Sequence, residues 1–299
     1  MTAHEHDHEH HHGHVHLDEA DWSAMAAQTE LQGEVLLRFV TDAAAQVAAL
    51  RDSDVPPVRR IVDIGSGPGV GTCELARLFP EADVVAVDSS AGMLERAVQR
   101  AAARGLGARV TVRHAELPGG LDGLAPVDVI WASMSLHHVG DEVRALRALH
   151  AVLDPHGLVA IAEFGDPTRV LPDDLDVGRP GFAERLDRAG AAWFARMRGG
   201  LTDSVPSASL PSMLASAGFE MVFDRLVHVR LDAPLSDDAR RFAQGYLHRS
   251  RDQFAEHLDD DDRQTLAVLA SDDDPRGVMR RPDVLIAASQ QIVIARRAG

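Results

Sequence analysis

Residues 62–69 read VDIGSGPG and lie between an apolar run, RRIVDIG (59–65), and a helical pattern, GTCELARLF (71–79). Glycine tolerates backbone conformations that other residues avoid, and its lack of a side chain lets a ligand approach the main chain. A bare loop between a strand and a helix therefore predicts a binding site. The spacing of the glycines indicates which ligand it binds.

The glycines do not follow the spacing of a dinucleotide-binding loop. That loop has glycines at i, i+2 and i+5, because the pyrophosphate sits on the helix N-terminus. Here Gly65, Gly67 and Gly69 fall at i, i+2 and i+4, and the fifth positions after the first two are Val70 and Thr72. The loop predicts an adenine cofactor other than a dinucleotide.

Short apolar runs alternate with helical patterns along the first half of the chain. The predicted strands are RRIVDIG (59–65), DVVAVD (83–88), ARVTVRH (108–114), VDVIWAS (127–133) and GLVAIAEF (157–164). The predicted helices between them are GTCELARLF (71–79), AGMLERAVQRAAARG (91–105) and DEVRALRALHAVL (141–153). Near-continuous apolar strands in repeated βα units are typical of a parallel sheet covered on both faces. We therefore predict a doubly wound, Rossmann-like α/β sheet.

The remaining segments divide the chain into a core and its additions. We predict a disordered histidine-rich tail, an N-terminal helical cap, the cofactor-binding α/β core, a lid segment, the end of the core, a helical lid insertion and the last core strand. Their bounds are 1–16, 17–54, 55–166, 167–205, 206–235, 236–282 and 283–299. The insertion carries acidic runs at 259–262 and 272–274.

Composition limits the partners. The formal net charge is −16, and a surface this acidic repels phosphate backbones, so we expect no nucleic-acid substrate. No apolar run approaches the roughly 18 residues of a membrane span, so we expect no membrane partner. Cys73 is the only cysteine, which fits a reducing cytoplasm. A small molecule remains the best candidate substrate, and the oligomeric state stays open.

Five segments in order carry a resemblance to a known family: VDIGSGPG (62–69), VVAVDSSAGML (84–94), RHAELP (113–118), VDVIWASMSLHHV (127–139) and LDPHGLVAIAEF (153–164). Together they resemble the class I S-adenosylmethionine-dependent methyltransferases of the small-molecule type. The resemblance covers about residues 58–166. It implies a mostly parallel seven-stranded sheet whose last strand is inserted antiparallel, here with a long helical insertion replacing the usual hairpin turn.

The resemblance also implies which residues bind the cofactor, S-adenosylmethionine. The loop from Asp63 to Gly69 would line its methionine part, and Asp88 at the end of the second strand would hold the ribose hydroxyls. The remaining implied contacts are Ser89, Met93, Ala115 and Glu116 around the adenine and Ser133 near the methyl group; within the loop they are Gly65, Ser66, Gly67 and Gly69. Glu116 departs from the family pattern, which often has an aspartate after a small residue.

Catalytic candidates follow the fourth and fifth strands. Active sites of open α/β sheets lie beyond the carboxyl ends of the strands. His137 and His138 follow the fourth strand, and an imidazole can accept a proton near neutrality. Glu163 ends the fifth strand and can orient a histidine or bind a substrate hydroxyl. The alternative is structural, with a histidine that caps the strand and packs on the cofactor.

Substrate contacts are expected from the N-terminal helix, the lid segment and the insertion. The candidate lining residues are Trp22, Trp193, Phe194, Tyr246 and His248, each with simple packing as the alternative. Arg249 and Arg251 can bind an acidic substrate or can lie on a solvated helix face. The sequence does not distinguish between these alternatives.

The N-terminal tail predicts a second, separate property. Its histidines are His4, His6, His8, His10, His11, His12, His14 and His16, with acidic residues between them. Neutral imidazoles at this density bind zinc, nickel or copper, so a divalent metal is a candidate partner there. An incidental low-complexity tail is the alternative. Metal dependence of catalysis does not follow.

The sequence as a whole predicts S-adenosylmethionine-dependent methyl transfer to an oxygen or nitrogen of a small molecule. Two other interpretations stay open. One is a non-methylating enzyme of the same fold, and the other is a metal-responsive or regulatory binding protein. The complete set of loop glycines and acidic residues argues against a domain that has lost its cofactor.

Overall fold

The computed structural model describes residues 19–51, 54–124, 126–206 and 208–298. Its strands are β1 (Arg60–Ile64), β2 (Asp83–Asp88), β3 (Val110–His114), β4 (Val127–Ser133), β5 (Leu153–Phe164), β6 (Phe219–Leu231) and β7 (Ile286–Arg297). Its helices are α1 (Glu19–Val35), α2 (Arg38–Leu50), α3 (Val70–Leu78), α4 (Ala91–Ala103), α5 (Glu142–Val152), α6 (Phe182–Gly199), α7 (Leu210–Ser216), α8 (Asp237–Phe254) and α9 (Asp260–Leu269).

The strands form one sheet in the order β3-β2-β1-β4-β5-β7-β6. The first five strands run parallel to one another, whereas β7 lies between β5 and β6 and is antiparallel to both. The mostly parallel seven-stranded fold predicted from the sequence is confirmed. Helices α8 and α9 lie between β6 and β7 in the chain, where the sequence predicted the long insertion.

Side-chain caps explain where several helices begin. The Ser90 and Ser236 hydroxyls accept hydrogen bonds from backbone amides in the first turns of α4 and α8. The Asp141 and Asp259 carboxylates do the same for α5 and α9. Each cap satisfies a backbone N–H that has no partner within its helix. The acidic run at 259–262 is therefore partly structural.

Apolar side chains cover both faces of the sheet. Val62 and Ile130 face one cluster with the helices α5 and α7, whereas Ile61 and Val129 face a second cluster with α2 and α3. The alternation along β1 and β4 places neighbouring residues on opposite faces. This two-sided burial accounts for the continuous apolar runs of these strands.

A third apolar cluster lies under the additions to the sheet. It joins Phe39 of α2 to helices α6, α8 and α9, with Phe242, Leu247 and Leu266 fully buried. Asp262 is buried at its edge and accepts two hydrogen bonds from Arg185. We call α6, α8 and α9, together with α1, the cap.

Among the described residues, no helix is long and apolar enough to cross a membrane.

Asp63 is the acidic residue of β1, and only 3% of its surface is exposed. Its Oδ2 accepts a hydrogen bond of 2.6 Å from the Thr72 hydroxyl of α3. Burial raises the pKa of Asp63 from 3.8 to about 7, opposed by the Thr72 hydrogen bond and assisted by the negative charge of Asp88. The folded chain therefore keeps a proton here that the unfolded chain loses above about pH 4.

The packing of α5 on the sheet predicts how a mutation in it changes the stability. Leu146 of α5 is fully buried, so Leu146→Ala leaves a cavity beneath β4 and β5. We expect a loss of about 2–5 kcal/mol in the free energy of unfolding, measured by urea denaturation. Val98→Ala on α4, where the side chain is 47% exposed, is the control and should change it by less than about 0.5 kcal/mol. Equal losses in the two variants would contradict the assigned core.

The buried carboxyl predicts a pH effect on the ligand-free protein. Because the pKa of Asp63 is raised in the folded state, its contribution to the free energy of unfolding is fully present below about pH 4. This contribution is lost as the pH rises through about 7. Asp63→Asn carries no charge at any pH. Its stability should match the wild type near pH 4 and exceed it near pH 8 by at most about 4 kcal/mol.

Urea denaturation at both pH values checks this prediction. Asp83→Asn, at an exposed position in β2, is the matched control and should follow the wild type. A difference between the wild type and Asp63→Asn that stays constant from pH 4 to pH 8 would contradict the buried neutral carboxyl.

Candidate active site

The loop between β1 and α3 needs its glycines for two different reasons. Gly65, Gly67 and Gly69 have φ angles of 64°, 52° and 78°, a range that residues with a side chain rarely adopt. A Cβ on Gly65 would lie 2.3 Å from the Cβ of Ser135, and one on Gly69 would lie 2.7 Å from the Cβ of Ala97. Packing therefore requires these two, whereas a Cβ on Gly67 would make only an ordinary contact, 3.7 Å from the methyl carbon of Thr29. The uncrowded Gly67 allows a ligand to approach the main chain, although its amide already donates to Asp88.

Asp88 ties this loop to the end of β2. Its Oδ2 accepts from the backbone amide of Gly67 and its Oδ1 from that of Ser90, both at 2.8 Å. Each carboxylate oxygen keeps a second lone pair, so two hydroxyl donors can still bind. The placement suits a ribose diol beside the glycine loop.

The other residues implied for the adenine lie around Asp88. The backbone amide of Ala115, just after β3, donates to the carbonyl of Asp88 at 3.0 Å. Ser89 and Glu116 are exposed, whereas Met93 is buried in the first turn of α4. The ends of β2 and β3 therefore bring these residues to one edge of the sheet.

The loop fits S-adenosylmethionine, the cofactor that the resemblance implies. The Ser66 hydroxyl is buried and has no hydrogen-bond partner among the described residues, so it is free for a ligand. The Asp63 carboxyl lies at the base of the loop with a raised pKa, and a cationic ligand beside it would favour its ionised form. Together with the uncrowded backbone at Gly67 and the carboxylate of Asp88, these groups match an adenosine with a cationic amino-acid end.

The chain turns sharply after β4. Ser133 is the last residue of the strand, and the next residue, Met134, has a φ of 52°. A non-glycine residue in this conformation costs on the order of 1 kcal/mol and persists only where its surroundings hold it. The Ser135 hydroxyl donates to the carbonyl of Ile64 at 3.1 Å. The turn therefore packs directly on the start of the glycine loop.

Glu163 holds this turn from the neighbouring strand. Its Oε1 accepts from the backbone amides of Ser135 at 3.1 Å and Leu136 at 2.9 Å. Its Oε2 lies 2.7 Å from Nδ1 of His137, and both side chains are less than a fifth exposed. A carboxylate can only accept, so the proton of this bond belongs to Nδ1. In the neutral imidazole, Nε2 is then free to accept a proton.

His138 differs from its neighbour. Its ring lies 4.1 Å from that of His137, and among the described residues it has no hydrogen bond to a carboxylate. Loss of hydration, followed by the charges of His137 and Arg198, lowers the pKa of His138 to about 4, although Glu163 opposes the shift. The side chain of His138 also contacts solvent. His138 is neutral near pH 7 but is not oriented.

Arg198 of the cap fixes the same turn and pairs with Glu142 of α5, and the sequence analysis identified neither residue. Arg198, in the last turn of α6, donates through Nη1 to the carbonyls of His137 at 2.8 Å and Val139 at 2.6 Å. Its Nη2 lies 2.5 Å from Oε1 of Glu142, and both side chains are buried. No local pattern marks this pair, because its partners are distant in the chain.

Aromatic rings cover one side of His137. Phe164, the residue after Glu163, lies 4.6 Å from the imidazole between ring centroids, and Phe194 of α6 lies 5.8 Å away. Phe194 and Phe164 contact each other edge to face at 5.4 Å. Phe164 nevertheless remains 54% exposed, so this apolar wall faces an open cleft.

The other aromatic and histidine candidates of the cap have different contacts. Trp22 lies against Gly92 and under the guanidinium of Arg96. Trp193 packs on Phe254, at 5.9 Å between centroids. His248 makes a 2.7 Å hydrogen bond to the carbonyl of Ala270. For these residues the packing alternative accounts for the observed contacts.

The predicted metal site of the tail lies outside the described residues, together with all of its histidines. Within residues 19–51, 54–124, 126–206 and 208–298, no group of three or more histidine, cysteine, aspartate or glutamate side chains is arranged to hold a metal ion.

Comparisons with known proteins identify the family that the chain resembles. A model of a methyltransferase domain family matches residues 61–157, which span β1 to the first part of β5. A trans-aconitate 2-methyltransferase from Methylobacterium radiotolerans is 30% identical over 239 residues, covering 79% of this chain and 76% of that protein. An uncharacterised protein from Synechococcus is 37% identical over 113 residues, which are 36% of this chain but only 26% of that protein.

A solved structure supports the fold alone. An O-methyltransferase family protein from Burkholderia thailandensis superposes with a TM-score of 0.52 at 13% identity, covering 94% of this chain and 61% of that one. The sequence match to the Methylobacterium protein extends well beyond the cofactor-binding core and includes most of both chains. The chain therefore belongs to the class I S-adenosylmethionine-dependent methyltransferases.

Proposed function

We propose that this protein transfers a methyl group from S-adenosylmethionine to an oxygen or nitrogen of a small molecule, with His137 as the general base. The observation that carries the proposal is the 2.7 Å contact between Nδ1 of His137 and Glu163 at the carboxyl ends of β4 and β5. It leaves Nε2 as a proton acceptor beside the loop that would hold the cofactor.

Three groups of residues would bind the cofactor. Asp88 would hold the ribose hydroxyls, with Ser89, Met93, Ala115 and Glu116 around the adenine. The loop from Asp63 to Gly69 would contact the methionine part, and Ser133 would lie near the methyl group. When bound, S-adenosylmethionine supplies a methyl group that its sulfonium already activates toward a nucleophile.

The protein has three tasks in such a reaction. It must hold the acceptor in line with the methyl group, exclude water and take the proton that a hydroxyl or a protonated amine loses. His137 Nε2 accepts that proton, and the Glu163 carboxylate stabilises the resulting imidazolium through Nδ1–H. Phe164 and Phe194 cover the imidazole on its apolar side and keep water away from it.

The acceptor is a small molecule in this proposal for two reasons. The net charge of −16 disfavours nucleic acid, and the Methylobacterium relative is a trans-aconitate 2-methyltransferase, so trans-aconitate is the first acceptor to test. The decisive assay follows labelled methyl from S-adenosylmethionine into trans-aconitate and into fractions of a cell extract. Label in the small-molecule fraction supports the proposal. Label only in protein or nucleic acid, or none at all, contradicts it.

The two adjacent histidines predict unequal effects on the rate. For an acceptor that loses a hydroxyl or ammonium proton, His137→Gln removes the base, so kcat should fall by about 10²–10⁴-fold while the Kd of S-adenosylmethionine stays within about threefold. An acceptor methylated on an ionised carboxylate, such as trans-aconitate, has no proton to lose and does not test the base. His138→Gln is the matched control and should lower kcat by less than about tenfold, because Glu163 does not orient that ring. Steady-state kinetics with a labelled methyl group measures both. Equal losses in the two variants would remove His137 from its assigned role.

Asp88→Ala tests the cofactor site. Loss of the hydrogen bonds from two ribose hydroxyls to a carboxylate should raise the Kd of S-adenosylhomocysteine by about 10–100-fold, measured by calorimetric titration. Asp83→Ala, at the other end of β2, should leave that Kd unchanged. Thermal unfolding should accompany the titration, since Asp88 also holds the amides of Gly67 and Ser90. An unchanged Kd in a folded Asp88→Ala protein would refute the ribose contact.

A further inference from the structure

Arg249 and Arg251 of α8 have different surroundings in the structure, although the sequence could not distinguish them. The Arg251 side chain is 48% exposed and pairs with the carboxylate of Asp252 at 3.0 Å. Arg249 is half-buried, and its one hydrogen bond among the described residues is a long contact of 3.4 Å from Nη2 to the amide oxygen of Gln32. Arg251 therefore lies on a solvated face, whereas Arg249 lies between α8 and α1.

Arg249 is unlike the other arginines that are withdrawn from solvent. Across the described ranges, every other buried or half-buried arginine contacts a carboxylate or a backbone carbonyl. Arg198 pairs with Glu142, Arg281 with Asp176 and Asp283, and the remaining cases are Arg51, Arg96, Arg100, Arg109, Arg113, Arg169, Arg185, Arg240 and Arg297. For Arg249 no carboxylate of the described residues lies at ion-pair distance.

This arrangement is costly without a ligand. A guanidinium has five N–H donors, and a single weak bond to a neutral amide does not replace its water. Burial accordingly lowers the pKa of Arg249, although the Tyr246 hydroxyl one turn earlier on α8 partly opposes the shift. An anion that accepts two parallel hydrogen bonds would satisfy the guanidinium.

The neighbours of Arg249 connect it to the cofactor loop. A Cβ on Gly245 would meet the side chain of Gln28, and one turn further along both helices Arg249 meets Gln32. The adjacent face of α1 covers the loop, since the methyl carbon of Thr29 lies 3.7 Å from where a Cβ on Gly67 would stand. Residues three and four apart share a helix face, so Gln32 lies beside Thr29. The guanidinium is therefore held by the helix that covers the glycine loop.

The other end of α8 is connected through α6 to the turn after β4, which carries His137. Phe254 packs on α6 at Gly190, and one turn further along α6 Phe194 contacts the His137 ring. Below the cap, Gln290 of β7 pairs directly with Phe164, so the two side chains share a face of the sheet. Gln290 is only 8% exposed, and its Oε1 has no partner among the described residues. A second polar group without a partner thus lies on the face that carries the aromatic wall.

We propose that Arg249 binds a carboxylate of the methyl acceptor, so that the acceptor is a small organic acid. The inference rests on the proposed function and names its substrate class. One guanidinium with an amide neighbour balances a single negative charge, which suits a carboxylate better than a doubly charged phosphate. The planar guanidinium matches the two oxygens of a carboxylate, and Gln290 is available to a further polar group of the acceptor.

The test measures acceptor binding apart from methyl transfer. Wild-type protein saturated with S-adenosylhomocysteine is titrated by calorimetry with trans-aconitate, malonate, citrate and benzoate, and with their methyl esters. At least one acid should bind saturably and more tightly than its ester. Arg249→Met should raise the Kd of that acid at least tenfold and leave the Kd of the ester within about twofold of the wild-type value. The Kd of the acid for Arg249→Lys should lie between those of the wild type and Arg249→Met, because an ammonium keeps the charge but not the paired donors.

Arg251→Met is the matched control on the same helix and should bind the acid as the wild type does. The Kd of S-adenosylhomocysteine and the unfolding temperature confirm that all variants are folded. Equal acid binding by Arg249→Met and the wild type overturns the proposal. So does the absence of binding of every acid to the wild type, even if a neutral acceptor is methylated. Acid binding that depends on Arg249 without any methyl transfer would instead refute the proposed function.

Discussion

One carboxylate organises the candidate active site. Glu163 accepts two backbone amides and the Nδ1–H of His137, and so joins the end of β5 to the turn after β4. Carboxylate hydrogen bonds to backbone amides are strong because one partner is charged. Without them, the turn would bury two unpaired amides beside a residue already held in a strained conformation, Met134. The orientation of the imidazole depends on this single side chain.

The glycine loop and the cap are positioned relative to that turn. Ser135 packs where a side chain on Gly65 would lie, and its hydroxyl donates to the carbonyl of Ile64, so the glycine loop and the turn after β4 share a boundary. From above, Arg198 of α6 binds two carbonyls of the same turn. The sheet, the loop and the cap therefore meet at residues 135–139. A methyl donor in the loop and a base on the turn would be held at a defined separation.

Much of this architecture could be predicted from the sequence. The runs DVVAVD and VDVIWAS become β2 and β4 with the same bounds, and the βα alternation gives the parallel core because buried strands are visible as continuous apolar runs. The glycine spacing and Asp88 are local in the chain and were identified for that reason. The resemblance carried the cofactor, and the match to a relative over most of both chains supports it.

The features that the sequence did not predict are those that depend on contacts between residues far apart in the chain. The bond from Arg198 to His137 joins residues 61 apart, and nothing near Arg198 indicates it. Adjacent histidines are equivalent in sequence, and only the position of Glu163 distinguishes His137 from His138. In the same way, Arg249 and Arg251 differ because α1 covers one side of α8 and leaves the other in water. Which residue of a pair faces a neighbour is set by packing across the fold.

The central claim is that Glu163 fixes the tautomer of His137. Two-bond ¹⁵N–¹H correlation spectra of the histidine side chains report which nitrogen carries the proton, and His137→Gln assigns the signal. The account predicts that neutral His137 in the wild type is protonated at Nδ1 and bare at Nε2, and that Glu163→Gln loses this preference. A wild-type His137 protonated at Nε2 would contradict it, because the nitrogen assigned as the base would then have no lone pair to accept a proton.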